Sequence, residues 1–433
     1  MKPLHSFLFL FLTYTAIAQP EKVVSGATDL ALSVEEKMVA WRHDIHQHPE
    51  LSNREFETAK KIAAHLKSLG MEVQTGVAKT GVVGILKGDQ PGPVIGLRAD
   101  IDALPVTERV DLPWASKVKS SYNGLETGVM HACGHDTHIA ILMATAEVLS
   151  KMKSELKGTI KFVFQPAEEG PPPGEEGGAK LMVKEGVLKN PDVEVMIGLH
   201  INAQTPVGQI KYKSGGTMAA ADRWVMKIKG KQSHGSTPWT SVDPVVTAAQ
   251  IINGMQTVIS RNTELTKEAA VLSVGLIRGG VRNNIIPEEV EMIGTIRTLD
   301  PEMQKKLHDD FRRVAINIGE AMGATIELEI ENHVPVTFND PGLTTQLVPY
   351  LENVIGSENV IVRKAMTGAE DFSFYANEIP SFFFFVGGCP KGTDPNTVAP
   401  HHTPDFYVDD EGMITGVKCM LAATLGYMYD SKP

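Results

Sequence analysis

Three features of the sequence predict an α/β fold in which a mixed, mostly parallel sheet is interrupted by an inserted ferredoxin-like α+β unit. A β-branched and aromatic run at residues 159–164 and apolar runs at 195–199 and 381–386 have the length and composition of strands covered on both faces. Each run hands over to polar residues able to bind metal: Glu168 and Glu169 after the first, His200 after the second, His401 and His402 on the loop after the third. Sites in open α/β sheets form outside the carboxyl ends of the strands, so these residues should converge on one rim. From residue 219 to 331 the pattern changes to alternating strands and amphipathic helices, which marks the insertion.

In chain order, residues 1–18 read as an export signal. Lys2 supplies the positive start, Phe7 to Leu12 an apolar core too short to cross a bilayer, and Ala16-Ile17-Ala18 a small-x-small cleavage site before Gln19. No Cys stands at the cleavage point, which argues against a lipoprotein. No later run reaches the roughly 18 apolar residues of a spanning helix, so no membrane anchor is expected. Phe56, Ile62, Ala63, Leu66 and Leu69 fall at helical spacing, with His43, His46 and His48 ahead of them as polar residues of a helix start. A catalytic α/β domain is expected over residues 19–218 and 332–433, and the insertion over 219–331. Inside the insertion, Arg223 to Gly230 alternates as a strand, and Val246, Ala249, Ile252, Met255 and Ile259 mark a helix over 243–261. Strands follow at 271–278 and 290–298. Asp300 and Pro301 suit the N-cap and first residue of a helix running to Met322, and a strand at 325–330 closes the β-α-β-β-α-β order.

The stretch His131-Ala132-Cys133-Gly134-His135-Asp136-Thr137-His138 concentrates metal-binding chemistry. Cys133 and His135 offer a thiolate and an imidazole two residues apart, and both must be deprotonated to bind a cation. Gly134 between them permits a tight turn. Plainer readings stand beside this one. Glu168 and Glu169 can form a solvated acidic turn, continued by the loop at 171–178. Asp100 and Asp136 can cap turns, or orient a ligating histidine. His138 suits either a site wall or plain surface, and Glu370 and Asp371 can order a loop. Ser233-His234-Gly235-Ser236-Thr237-Pro238 is a small-residue loop whose histidine is, by default, solvated.

Taken together, these motifs resemble the amidohydrolase branch of the aminoacylase and carboxypeptidase metallopeptidase family, which contains hippurate hydrolase and the indole-acetyl-amino-acid hydrolases. The likeness runs from about Val34 to about Leu425. It rests on HDIHQHPELS (43–52), RADIDALP (98–105), the Cys133 cluster, QPAEEG (165–170), NIIP (284–287), GTIR (294–297), GAEDF (368–372) and HTP (402–404). The resemblance implies two divalent ions per subunit, manganese or zinc, with nickel or cobalt as further choices. Cys133 would bridge them, His135 and Glu169 would bind individual ions, and His200 and His402 would complete the set. His402 is preferred to His401 because the family pattern puts the ligand directly before a small residue and proline. Water held by such a pair would be acidified toward hydroxide, and Glu168 would act as general base, returning the proton to the leaving nitrogen.

The insertion, by the same resemblance, is a lid through which a homodimer forms. His234 would stabilise the oxyanion in the other subunit's site, and Asn284 and Arg297 would hold the substrate carboxylate. The expected function is therefore an exported enzyme, periplasmic or secreted, that cleaves the amide of hippurate-like N-acyl amino acids. A metallo-carboxypeptidase or dipeptidase would use the same residues. A catalytically silent binding protein is the alternative of another class, and the joint presence of Glu168, Cys133 and His402 opposes it. Trp239 stands where many relatives place a histidine or other polar residue, which leaves acyl preference open.

Composition sets outer bounds. At 433 residues and 42% hydrophobic content the chain suits a globular protein of two or three domains. A net charge of −11 opposes nucleic acid or an anionic membrane as partner. Of three cysteines, Cys389 and Cys419 remain as a possible pair once Cys133 is assigned to metal.

Overall fold

The computed structural model describes residues 11–430; residues 1–10, the larger part of the expected export signal, lie outside them. The chain divides into two compact units. One comprises the N-terminal part through Ser214 together with Asn339–Arg363 and the stretch from Phe374 onward, and the other Gly215–Phe338 with Lys364–Ser373.

The first unit opens with helices α1 (Phe11–Leu32), α2 (Glu35–Gln47) and α3 (Phe56–Ser68), then strands β1 (Glu72–Val77), β2 (Gly81–Lys87) and β3 (Gln90–Asp100). A hairpin of β4 (Lys119–Tyr122) and β5 (Leu125–Gly128) follows, then α4 (His135–Lys151), β6 (Lys157–Gln165), α5 (Gly178–Lys184), β7 (Val195–Pro206) and β8 (Ile210–Tyr212). The inserted part contributes β9 (Gly215–Met218), β10 (Ala220–Lys229), β11 (Ser233–His234), α6 (Pro244–Thr257), β12 (Ala270–Gly279), β13 (Ile285–Ile286), β14 (Glu289–Thr298), α7 (Pro301–Ala321), β15 (Thr325–Val334) and β16 (Thr337–Asn339). The chain then ends with α8 (Pro341–Ile355), β17 (Val360–Val362), α9 (Ser373–Ala376), β18 (Ser381–Cys389) and α10 (Glu411–Asp430).

The sheet of the first unit has the order β1-β2-β6-β3-β7-β18-β8-β17. Its central strands β6, β3, β7 and β18 run parallel, while β1 against β2, β2 against β6 and β18 against β8 are antiparallel. Parallel strands need cover on both faces, and the sequence supplies it: every residue of β18 is buried, as are the last six of β6. α4 packs on β3 and β7 and is buried continuously from His135 to Leu149, as expected for a helix enclosed on all sides. His43 and His46 lie inside α2, a helix of their own ahead of α3. Cys389 and Cys419 are both buried and unpaired.

The second unit is ferredoxin-like. Its antiparallel sheet has the order β12-β14-β10-β15, with α6 after β10 and α7 after β14. β10 alternates buried and less buried residues, setting Trp224, Met226 and Ile228 into the core beside Phe311 of α7, whose ring centroid lies 5.2 Å from that of Trp224. Gly294 of β14 is needed there, because a Cβ would strike the Trp224 indole. Asp300 caps α7 by accepting from Met303 N at 2.9 Å, and Asp243 caps α6 by accepting from Val245 N and Val246 N.

Because β18 is buried along its whole length, Phe384→Ala should cost about 3–5 kcal/mol. A fall of the urea midpoint with native far-UV circular dichroism is the expected result; a midpoint unchanged within error would contradict the packing.

Candidate metal centre

The carboxyl ends of β3 and β6, the middle of β7 and the start of α4 meet in the first unit. The turn into α4 depends on Gly134, which sits at φ +93° and whose Cβ position is already taken by the Ile201 side chain. That turn brings Cys133 Sγ to 3.3 Å from His200 Nε2 and 3.2 Å from His402 Nε2. His402 Nε2 lies 3.0 Å from Glu169 Oε1, an ion-pair approach without hydrogen-bond alignment, since that oxygen has no hydrogen-bond partner among the described residues. His135 Nε2 is 4.0 Å from Glu169 Oε1 and 3.9 Å from Glu168 Oε2. Cys133 thus belongs to two triads of candidate ligand atoms, one with Glu169 and His402 and one with His200 and His401.

The imidazoles are oriented from behind. His135 Nδ1 donates to the Asp102 carbonyl at 2.8 Å and His200 Nδ1 to the Ile201 carbonyl at 2.5 Å, so each ring turns its Nε2 lone pair toward the cluster. His135 Nε2 is buried and has no hydrogen-bond partner among the described residues. A buried polar atom left in this way costs about 1–3 kcal/mol, and a cation at this point would satisfy it together with Glu169 Oε1. Charge agrees with geometry. Burial alone would lower the pKa of His135, but Asp100 and Asp102 overrule it and push the ring up to about 10, a field that favours positive charge at Nε2. Burial, with Glu169 and Glu168 adding to it, pushes the Cys133 thiol well up, so its thiolate needs a neighbouring cation. Burial keeps His200 neutral by holding its pKa well below the ordinary value. The residues present therefore fit divalent metal.

The two adjacent histidines have different surroundings. Both ring nitrogens of His401 are used, Nδ1 toward the Cys133 carbonyl at 3.1 Å and Nε2 accepting from Ala203 N at 3.2 Å. His402, at φ +64°, turns its Nε2 to Cys133 and Glu169 instead. His138 is buried, donating from Nδ1 to Asp100 at 2.5 Å and accepting at Nε2 from Ile201 N at 2.7 Å. Asp100 also takes Arg98 at 2.7 Å, and reaches His135 Nε2 only at 3.8 Å. Asp136, expected to orient a ligating histidine, faces elsewhere: it receives Arg42 Nε at 3.0 Å and His46 Nδ1 at 2.9 Å, anchoring α2 to α4.

The carboxylate that the sequence analysis missed is Asp102. Its Oδ1 accepts from Glu168 N at 3.0 Å, and its Oδ2 accepts from Glu169 N at 3.1 Å and from Ser52 Oγ at 2.7 Å. Its alternation with Asp100 at the end of a buried run was the available signal. Just before this turn, Ala167 holds φ +53° while its N–H donates to buried Glu55 at 2.9 Å.

In the second unit, His234 pairs with Ile285 across β11 and β13, and Gly235 N donates to Asn284 O at 2.8 Å, so His234 and Asn284 share one loop cluster. His234 Nδ1 accepts from Ser236 N at 3.1 Å, which leaves Nε2 as the donor of the neutral ring. Arg297 lies on β14, its guanidinium on Thr295 Oγ1 and, at 2.9 Å, on Ile296 O. Glu370 is buried and orders its own loop by accepting from Phe372 N at 2.9 Å.

Residues 96–425 match the model of peptidase family M20/M25/M40. The chain belongs to that family. Among its relatives, the N-acetylcysteine deacetylase of Bacillus subtilis (strain 168) is 39% identical over 378 residues, covering 87% of this chain and 93% of the relative. Thermostable carboxypeptidase 2 of Saccharolobus solfataricus is 38% identical over 385 residues, covering 88% and 93%. The crystal structure of the YXEP protein of Bacillus subtilis, a dinuclear metal-binding peptidase of family M20, superposes with a TM-score of 0.75 at 34% identity, covering 92% of this chain and 99% of that one. This M20 chain is accordingly a metal-dependent hydrolase of carbon–nitrogen bonds.

Two outcomes follow for this M20 centre. Cys133→Ser should lower bound divalent metal at least tenfold, measured by elemental analysis after dialysis; full retention would remove the thiol from the ligand set. A pH effect arises from His46, where burial and, to a smaller extent, the Arg42 charge would lower the pKa, but Asp136 and Glu108 outweigh them and raise it to about 9 from 6.5. Its stabilising contribution is complete below the unfolded value of 6.5 and is lost as pH rises through 9, on the order of 3 kcal/mol. Chemical unfolding at pH 6 and pH 9.5 should show that loss in the wild type and a smaller one in His46→Gln.

Proposed function

We propose that this M20 enzyme is an exported amidohydrolase that cleaves N-acyl amino acids and releases the free amino acid. The observation that carries the reading is the Cys133 thiol between His200 Nε2 and His402 Nε2, with the Glu168-Glu169 pair beside it. The deacetylase relative, named for an N-acetylated amino acid, supports the substrate class. Cys133, His135, Glu169, His200 and His402 would hold two divalent ions, manganese or zinc ahead of nickel or cobalt. When bound, these would polarise the scissile carbonyl and acidify the attacking water.

The remaining work falls to side chains of this chain. Glu168 takes the proton from the attacking water at a carboxylate oxygen and delivers it to the leaving nitrogen. Its main chain is fixed by Asp102, and its Oε2 lies 3.9 Å from His135 Nε2. His234, with Ser236 holding Nδ1 as acceptor, offers Nε2–H to the oxyanion in the other subunit of a homodimer. Asn284 and Arg297 hold the carboxylate of the leaving amino acid. Dimerisation through the inserted unit is supported by β12, an edge strand on which Leu276 and Ile277 are exposed. Export to the periplasm or medium is supported by the Lys2, apolar core and Ala16-Ile17-Ala18 pattern.

A carboxypeptidase reading is favoured by the carboxypeptidase relative and would use the same centre. The deciding experiment gives chelator-stripped protein, with and without manganese or zinc, a panel of N-benzoyl and N-acetyl amino acids, their carboxyl-amidated forms, and dipeptides. Metal-dependent cleavage of the free-carboxylate N-acyl compounds supports the proposal. Preference for dipeptides moves the assignment to peptidase, and silence with metal bound leaves a binding protein. Glu168→Ala should keep its metal and lose turnover by about 100- to 10,000-fold; normal activity would remove it as base. Arg297→Ala should mainly raise KM for carboxylate substrates, and equal loss on amidated ones would refute the contact.

A further inference from the structure

The turn after β6 presents Glu168 and Glu169 to the metal centre, and its consecutive peptide N–H groups all end on buried carboxylates. Pro166 has no N–H, so Ala167 supplies the first. It donates to Glu55 Oε1 at 2.9 Å, while Glu168 N and Glu169 N go to Asp102 at 3.0 and 3.1 Å. Asp102 lies just past the end of β3 and Glu55 directly ahead of α3, so the turn is gripped from two sides. Glu55 is fully buried and is itself fixed, its Oε2 accepting from Thr80 Oγ1 at 2.6 Å. The loop that carries Thr80 presses on the same turn: a Cβ at Gly81 would meet Pro166 Cδ at 2.9 Å.

The helix does not account for this carboxyl group. Glu55 occupies the N-cap position of α3, yet its side chain makes no capping bond there. Burial and, after it, the Asp102 charge push its pKa up to about 7, so a carboxylate is kept here against its own preference for water. What it holds is Ala167 at φ +53°, a left-handed conformation that a Cβ disfavours. With the turn in that form, Glu168 Oε2 lies 3.9 Å from His135 Nε2, and Glu169 Oε1 lies 3.0 Å from His402 Nε2. Relaxation of Ala167 to negative φ would redirect the chain immediately before Glu168. A misplacement of about 1 Å in a reacting group can cost on the order of 100-fold in rate.

We propose that Glu55 is a positioning residue of the hydrolase: its carboxylate locks Ala167 in the left-handed conformation and so aims Glu168 at the reacting centre. The inference rests on the reading of Glu168 as base and adds the group that directs it. The test measures kcat and KM on whichever compound of the panel above wild type cuts best. Manganese or zinc is kept saturating, so that weaker metal binding through Glu169 is not read as lost kcat. Glu55→Ala should lower kcat about 30- to 100-fold with KM within about threefold. Glu55→Gln keeps an acceptor for Ala167 N and should retain kcat within about fivefold. Ala167→Gly reaches the same φ without a Cβ, so added to Glu55→Ala it should restore kcat by about tenfold, which a lost packing contact would not allow. If the Ala variant does not fold, Glu55→Asp decides: the charge stays, the acceptor is drawn back by one methylene, and kcat should fall about tenfold below that of the Gln variant. Full kcat in Glu55→Ala, or in Glu55→Asp where that variant decides, overturns the positioning role and leaves Glu168 as base. A loss that Ala167→Gly does not relieve does the same. Normal turnover in Glu168→Ala overturns both.

Discussion

Four hydrogen bonds to one buried residue, Asp102, hold the catalytic unit's working parts in register. Its carboxylate takes Glu168 N, Glu169 N and Ser52 Oγ, and its carbonyl takes His135 Nδ1. Burial would raise its pKa, but the His135 and Ser52 bonds hold it below the usual carboxylate range, so it stays ionised and acts as acceptor throughout. The loop after Leu51, the end of β3, the start of α4 and the turn after β6 are thereby tied to one point. Left-handed backbone at Ala167 and His402, of a kind that costs on the order of 1–3 kcal/mol each, persists because neighbouring bonds enforce it. Ala167 N is held by Glu55, and His402 N donates to Ala132 O at 2.8 Å.

Much of this was legible in the sequence, for identifiable reasons. Residues 159–164, 195–199 and 381–386 lie in β6, β7 and β18 because parallel strands buried on both faces need short, mostly apolar runs; Lys161 is tolerated in β6 because its Nζ donates to the Val187, Lys189 and Pro191 carbonyls. The inserted unit was readable because its strands are half-buried and its helices amphipathic, so both periodicities survive in the sequence. Asp300-Pro301 marked the start of α7 with a cap that the structure uses.

What remained unread is what periodicity does not encode. α2 buries Arg42 and His46 through Asp136, a charge network rather than an apolar stripe, so its histidines read as polar residues at the start of the next helix. Replacing a whole buried pair of this kind by apolar residues is often neutral, whereas removing the charge of one partner is strongly destabilising. Asp102 had only its neighbours to betray it, since burial of a carboxylate depends on partners as distant in sequence as Ser52 and Glu168. The membership of Lys364–Ser373 in the second unit depends on main-chain pairing such as Ala219 N with Met366 O, which leaves no mark on composition. The β4–β5 hairpin did carry a mark, Asn123-Gly124, which is the strongest short signal for such a turn.

The adjacent residues His401 and His402 face different partners because one sits at a left-handed φ, and Glu168 and Glu169 follow a left-handed Ala167 in the same manner. Residue identity in these two loops is therefore less informative than residue count. In the stretch between β18 and His401 most side chains are exposed, with Pro395, Val398 and Ala399 half-buried, so most substitutions there change little, but the loss or gain of a single residue would shift which histidine the thiol meets. Natural variation there should accumulate as changes of letter at constant length, and drift in length should accompany drift in chemistry.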